Sequence, residues 1–215
     1  MSTSASHARA VVPPGVINMG SGKDWKPDCL NIDISDAWNP DLVFDLNQTL
    51  PTGGLSFETS RFGTVRLADE SFEAIICNDV LEHVTQLMTA MTTCLRLLRV
   101  GGALRVHVPY DLSYGAWQDP THVRAFNERS WLYYTDWFWY MNWDSHRFDL
   151  KSLQFVLSPI GISLHQRQVD QDTILRTPRA VDAMNVELVK RALNPQERAE
   201  YKLRHAPVEH STVPA

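Results

Sequence analysis

A chain of 215 residues, 44% hydrophobic and 21% charged, holds enough apolar material for one globular domain that needs neither a metal nor disulfides to fold. Its 20 basic and 25 acidic residues leave a net charge of −5 with no run of one sign, which argues against a nucleic-acid groove or a face for anionic membranes. Three cysteines, Cys29, Cys77 and Cys94, are odd in number and set among apolar residues, the usage of a reducing compartment. No stretch reaches the ~18 uninterrupted apolar residues of a membrane span, so a cytoplasmic protein without a membrane partner is expected.

In chain order, residues 1–14 lack the apolar segment of a secretion signal and read as a disordered tail. Gly15 to Met19 is a short apolar run ended by Gly-Ser-Gly, and Cys29 to Ile34 is a second run ended by an acid. Asp41 to Leu46, Phe72 to Asn78 and Gly102 to Pro109 are three more, each strand-length, aliphatic and bounded by Gly, Pro, Asn or Asp. Between the last two, Val80, Leu81, Val84, Leu87, Met88, Met91, Leu95 and Leu98 recur at spacings of one, three and four, which predicts an amphipathic helix. A strand, a helix and a strand imply a right-handed crossover. The expected class is therefore α/β: a Rossmann-like, mostly parallel sheet flanked by helices.

The link from the first run to the second is too short for a crossover helix, which must be reduced to a turn. Residues 51–71 read as a long loop with little period. Residues 148–170 and 183–193 offer further strands, an antiparallel pair closing the sheet. Asn194 and Pro195 supply the cap and first position of a short helix, and residues 194–215 form that helix and a disordered tail. The domain proper is 15–193, with 110–147 as a substrate-facing aromatic insertion.

Polar residues stand at four neighbouring strand ends: Gly20 and Gly22, Asp33, Asp45, and Asn78 with Asp79. Ligands of open α/β sheets sit at such ends, and an acid after the second strand can accept the hydroxyls of a ribose. A tight turn and helix caps are the bland readings of the same residues. A dinucleotide fingerprint would need a third glycine where Trp25 stands and an acid ~20 residues past the first glycine, whereas Asp33 is nearer. No hydroxyl follows Lys23, as a phosphate-cradling loop requires.

The ordered set "INMGSGKDW", "CLNIDI", "DLVFDLNQTLP", "SFEAIICNDVLEHV" and "LLRVGGALRVHVP" resembles the class I S-adenosylmethionine-dependent methyltransferases, in particular their small type 11 branch, over roughly residues 15 to 135. The resemblance implies a fold, a cofactor and site residues. Gly20, Ser21 and Gly22 would face the methionine part of S-adenosylmethionine, Asp33 and Ile34 the ribose and adenine edge, and Asp45 and Leu46 the adenine. Asn78, Asp79 and Val80 would lie under the sulfonium, and S-adenosylhomocysteine would be the product. The family's first loop often carries a third glycine or a cysteine, and here Ser21 and Lys23 stand instead.

Methyl transfer from a sulfonium asks the protein mainly to align the reacting atoms and exclude water, with a base for hydroxyl acceptors. His122, in a turn beyond the fifth strand, is the candidate base and Asp119 its orienting partner; capping of the following helix, or a hydrogen bond to a backbone carbonyl, is the alternative for His122. His83 is a second candidate, at the start of the helix after the fourth strand, and His107 reads as a core residue. Tyr110, Tyr114, Trp117, Arg124 and Trp137 are the candidate acceptor contacts, Arg124 having a surface ion pair as its alternative. No pair among His83, His107 and His122 has i, i+3 or i, i+4 spacing, so no metal is expected. The run Trp131 to Trp143 holds more rings than one helix face can bury, which suggests walls of an acceptor pocket or a homodimer contact. The expected activity is O- or N-methylation of a small molecule. The alternatives are a non-catalytic cofactor-binding partner subunit, a methyltransferase acting on a glycan or other macromolecule, and, disfavoured by Trp25, a nicotinamide-dependent reductase.

Overall fold

The computed structural model describes residues 13–206; the tails expected to be disordered lie largely outside them. Strands β1 (Val16–Met19), β2 (Leu30–Asp33) and β3 (Leu42–Val43) open the chain. A hairpin of β4 (Leu55–Thr59) and β5 (Gly63–Leu67) follows, then β6 (Phe72–Asn78), helix α1 (Leu87–Leu97) and β7 (Leu98–Pro109). A short α2 (Gly115–Gln118) leads into two 3₁₀ turns, Ser130–Tyr134 and Phe138–Met141. The chain then forms β8 (His146–Leu157), α3 (Pro159–Gln166), α4 (Gln171–Arg176), β9 (Val181–Ala192) and α5 (Pro195–Arg204).

Seven strands make one sheet in the order β3-β2-β1-β6-β7-β9-β8. The first five are parallel; β9 runs antiparallel to β7, and β8 antiparallel to β9. This is the expected α/β sheet with its closing antiparallel pair. The order reverses direction between β1 and β6, which opens a crevice beyond their carboxyl ends. The core is continuous across the sheet, from Ile17, Leu30 and Ile75 through Met91 and Leu104 to Phe148 and Leu188, all fully buried.

The β1–β2 link is helixless, as its length demands, and buried amides take the missing helix's place. Asn18 Nδ2 donates to Asn31 Oδ1 at 3.0 Å, and Asn31 Nδ2 donates to the Lys26 carbonyl at 2.8 Å. Arg61, at the tip of the β4–β5 hairpin, donates to both carboxylate oxygens of Asp41 and to the carbonyls of Pro27 and Cys29. Its guanidinium also stacks over Trp25.

Several expectations are corrected. Residues 51–71 contain the hairpin: Val65 and Leu67 of β5 turn into the core and their neighbours turn out, a short alternation lost among polar residues. The helix begins at Leu87 rather than Val80, because Asp79 adopts a left-handed backbone (φ +52°) and residues 80–86 form turns. Asn47 Oδ1 accepts from the Gln86 amide at 2.8 Å, filling the cap that no local side chain provides. The segment 159–166 is helix, not strand, started by Ser158 with Pro159. Asn194 caps α5, as its sequence predicts, and the structure adds a reciprocal box with Glu197.

The aromatic run is two 3₁₀ turns rather than one helix. Trp131, Tyr134, Phe138 and Trp143 are buried against the sheet and α1, where Trp143 Nε1 donates to Thr92 Oγ1 at 3.1 Å. Tyr133 and Tyr140 are exposed and pack edge to face, with Trp137 against Tyr133.

Candidate active site

The crevice at the β1–β6 switch holds a cleft of about 220 Å³. From the expected cofactor residues, Gly20, Asp33, Ile34, Asp45, Leu46, Asp79 and Val80 line it; so does His83 from the expected catalytic group. Met19, Phe44, Asn47 and Val84 complete the lining, positions that read in the sequence only as core or loop.

The loop after β1 is built by two left-handed glycines, Gly20 (φ +66°) and Gly22 (φ +42°). A Cβ on Gly20 would lie 2.4 Å from Val80 Cγ2, so the backbone approaches the β6 loop as no other residue allows. Asp33 is 8% exposed, and its carboxylate accepts from the Gly22 amide at 2.8 Å and the Ser35 amide at 2.9 Å. Each oxygen retains a lone pair for a further donor. Ser21 Oγ is buried and has no hydrogen-bond partner, a polar atom awaiting one in the loop expected to meet the cofactor. Ser21, which is buried, and Gly22 are not among the residues that line the cleft. Asn78 is a correction: alternation along β6 buries Cys77 and turns Asn78 outward, to a separate depression with Arg105 and Asn185.

Asp79 Oδ1 and His107 Nδ1 are 2.8 Å apart, and this hydrogen bond holds the imidazole's pKa above its ordinary value. His107, expected in the core, is thus a half-buried partner of a cleft acid.

The 119–124 turn is laced onto the 80–85 turn. Val123 N donates to the Glu82 carbonyl at 2.9 Å, and Arg124 Nη2 donates to the carbonyls of Val84 (2.7 Å) and Thr85 (3.0 Å). Arg124 therefore clasps backbone and forms no ion pair among the described residues. His83 and His122 meet edge to face with ring centroids 4.6 Å apart. Asp119 does not bond the His122 ring: its carboxylate accepts from the Thr121 hydroxyl at 2.6 Å, which holds the acid's pKa low, and Thr121 Oγ1 lies 2.9 Å from His83 Nδ1. His122 Nδ1 faces the Ala116 carbonyl at 3.1 Å, the backbone contact that is one alternative to a base, and does not cap the following turn.

Close to the two imidazoles is Glu82, 1% exposed and with no hydrogen-bond partner among the described residues for either carboxylate oxygen. Burial, chiefly, raises its pKa to about 7. Glu82 was not singled out in the sequence, where it reads as one charge on an amphipathic helix.

The expected acceptor contacts divide. Tyr110 is buried, and its hydroxyl donates to Glu128 at 2.9 Å, satisfied within the fold and absent from the cleft lining. Tyr114 and Trp117 are exposed, Tyr114 beneath the Arg179 guanidinium. Trp137 packs on Tyr133 rather than on the cleft. These rings surmount core and surface; sequence proximity to β7 is no guide to side-chain direction.

Fold and cleft together define an α/β domain with a cleft at the β1–β6 switch, where open parallel sheets bind their ligands. Residues 23–106 match the methyltransferase domain family, the same part of the chain that carries the resemblance to class I S-adenosylmethionine-dependent methyltransferases. An S-adenosylmethionine dependent methyltransferase of Mesorhizobium loti is similar in fold, with a TM-score of 0.50 over 84% of this chain and 93% of that one at 13% identity. The 4+2 cyclase SpnF is similar too, with a TM-score of 0.50 over 83% and 76% at 13% identity. At such identities the likeness is one of fold alone. No curated protein sequence matches the chain.

Proposed function

We propose that the chain methylates an oxygen or nitrogen of a small-molecule acceptor that enters beside His83 and His122. The observation that carries this reading is the convergence, at one edge of the cleft, of the glycine loop, Asp33 and Asp79 with two imidazoles from separate turns. When bound, S-adenosylmethionine supplies an electrophilic methyl group on a positively charged sulfur.

The chain's residues fit that cofactor. Asp33, already oriented by two backbone amides, would accept ribose hydroxyls. Asp45, Leu46 and Ile34 would enclose the adenine, and the unpartnered Ser21 hydroxyl with the Gly20–Gly22 backbone would hold the methionine end. Asp79, kept in place by His107, puts a carboxylate on the cleft wall where positive charge would be stabilised. His122 is the candidate base for a hydroxyl acceptor: with Nδ1–H donated to the Ala116 carbonyl, Nε2 carries a free lone pair.

A small acceptor is supported by the modest cleft and by the absence of a basic surface in the composition. A cytoplasmic location accords with three free buried cysteines; no helix among the described residues is long and apolar enough to cross a membrane. Calorimetric titration with S-adenosylhomocysteine tests the reading. One-to-one binding is expected, and its absence from folded protein overturns the proposal. A metabolite screen with labelled cofactor then identifies the acceptor.

A further inference from the structure

One ligand atom from each of Glu82, His83 and His122 lies within 4.8 Å of the other two. The three come from two turns fastened together by the Val123–Glu82 hydrogen bond, which explains why spacing along a helix did not reveal them. Three atoms that far apart share a centre ~2.8 Å from each, so movements well under ~1 Å reach the ~2.1 Å of a metal–nitrogen or metal–carboxylate bond.

The protonation pattern of this cluster is dictated by its neighbours. Thr121 Oγ1 is 2.6 Å from the Asp119 carboxylate, which can only accept, so the hydroxyl proton points there. Toward His83 Nδ1, at 2.9 Å, the same oxygen can then only accept, and His83 must carry its proton on Nδ1. The Ala116 carbonyl imposes the same tautomer on His122. Both imidazoles are therefore held with Nε2 as a lone pair, each oriented by a hydrogen bond on the opposite nitrogen, the arrangement that positions metal-ligating histidines. The third group, Glu82, is a buried carboxyl whose two oxygens lack any partner. Two lone pairs and an unpartnered carboxylate form a donor set that no hydrogen-bond donor of the described residues satisfies.

We propose that Glu82, His83 and His122 bind one divalent transition-metal ion at the edge of the cleft, and that an oxygen of the methyl acceptor occupies a further coordination position. Two imidazoles and a carboxylate suit a borderline ion such as Mn²⁺, Fe²⁺, Co²⁺ or Zn²⁺, with positions left open for exogenous ligands. His83 is shared by the cluster and the cleft lining, so the ion would face the place where the acceptor meets the cofactor. With the ion bound, the Nε2 lone pair of His122 is taken, so the metal replaces His122 in activating the acceptor: it lowers the pKa of a bound hydroxyl toward neutral, which favours an oxygen acceptor. This last point rests on the methyl-transfer reading; the ion site does not.

Co²⁺ is the probe, because its visible absorption reports imidazole and carboxylate coordination. The full-length protein, stripped with chelator, is titrated with Co²⁺ and separately with S-adenosylhomocysteine, and its melting is followed with and without Co²⁺. One equivalent of Co²⁺ with visible bands is expected, with a rise in melting temperature. His83→Ala and His122→Ala should each lower the Co²⁺ affinity at least tenfold, and His122→Ala, which lies outside the cleft lining, should leave S-adenosylhomocysteine binding intact. Glu82→Gln keeps the side-chain shape and removes a buried charge; it should fold, melt at or above the parent temperature without metal, and lose the Co²⁺-dependent rise. Absence of bands, or equal affinity in the parent and in His83→Ala/His122→Ala, overturns the ion site and leaves a water as the partner of Glu82. Co²⁺ binding without S-adenosylhomocysteine binding would instead retain the ion site and remove the methyl-transfer reading.

Discussion

Asp33 Oδ2 accepts a hydrogen bond from the Gly22 amide at 2.8 Å, so the acid expected to meet the ribose also holds the loop expected to meet the methionine. The two halves of the cofactor site are thus one unit. Asp33→Ala should weaken S-adenosylhomocysteine by more than the loss of ribose contacts alone, about 100-fold if two charge-assisted hydrogen bonds are lost. Asp33→Asn keeps an acceptor for one amide and should lose less. Calorimetry on both variants checks this order; equal losses would show that the loop does not depend on Asp33.

Gly20 and Val80 make a second pair. In Gly20→Ala the new methyl would fall 2.4 Å from Val80 Cγ2, on a backbone of φ +66°. Cofactor affinity should fall at least ~10-fold, with a left-handed strain of roughly 1–2 kcal/mol that no neighbour can relieve. Gly20→Ala/Val80→Ala should recover the steric part alone. Full recovery would mean that backbone conformation at residue 20 is unimportant.

Arg61 is the fastener of the helixless crossover. Removing it leaves Asp41, whose side chain is 4% exposed, as an uncompensated buried charge. Arg61→Ala should cost about 3 kcal/mol in urea unfolding, within the range for one partner of a buried pair. Arg61→Lys should not restore it, because a single ammonium cannot bridge both Asp41 oxygens and two carbonyls. A change below ~1 kcal/mol would show that the hairpin does not anchor the crossover.

Glu197 of α5 is bound by Arg191 of β9 and Arg147 of β8, and the Arg191 hydrogen bonds, above all, lower its pKa to about 2. A depressed carboxylate stabilises the fold above its unfolded pKa, near 4.5, and loses that contribution as pH falls toward 2. The contribution should be roughly 2 kcal/mol, reduced from the full shift because the site still touches water. Unfolding free energies measured from pH 6 to pH 2.5 should decline less steeply in Glu197→Gln than in the parent. Parallel curves would count against the triad.

Thr121 connects Asp119 to His83, and Thr121→Val removes the acceptor that fixes the His83 tautomer while preserving shape. Co²⁺ affinity should fall about 10-fold, the usual scale for a lost partner of a metal-ligating histidine, with S-adenosylhomocysteine binding unchanged. Unaltered Co²⁺ affinity would show that Thr121 does not position the ring.

Much of this protein was legible in its residues because the relevant physics is local. Aliphatic runs closed by Gly, Asp or Asn can do little but form buried strands with polar ends, and Asn194-Pro195 with Glu197 caps a helix wherever it lies. The ten residues between β1 and β2 excluded a crossover helix by length alone. Those signals placed Gly20, Asp33, Asp45 and Asp79 around one crevice. Tertiary structure decided the rest. Residues 80–86, which the apolar spacing assigned to the helix, form turns after a left-handed Asp79 and bring His83 to the cleft. Tyr110 and Trp137, near the site in sequence, were turned to Glu128 and Tyr133. Glu82, His83 and His122 became neighbours only when hydrogen bonds closed one turn upon another, because a cluster assembled across the fold leaves no period along the chain.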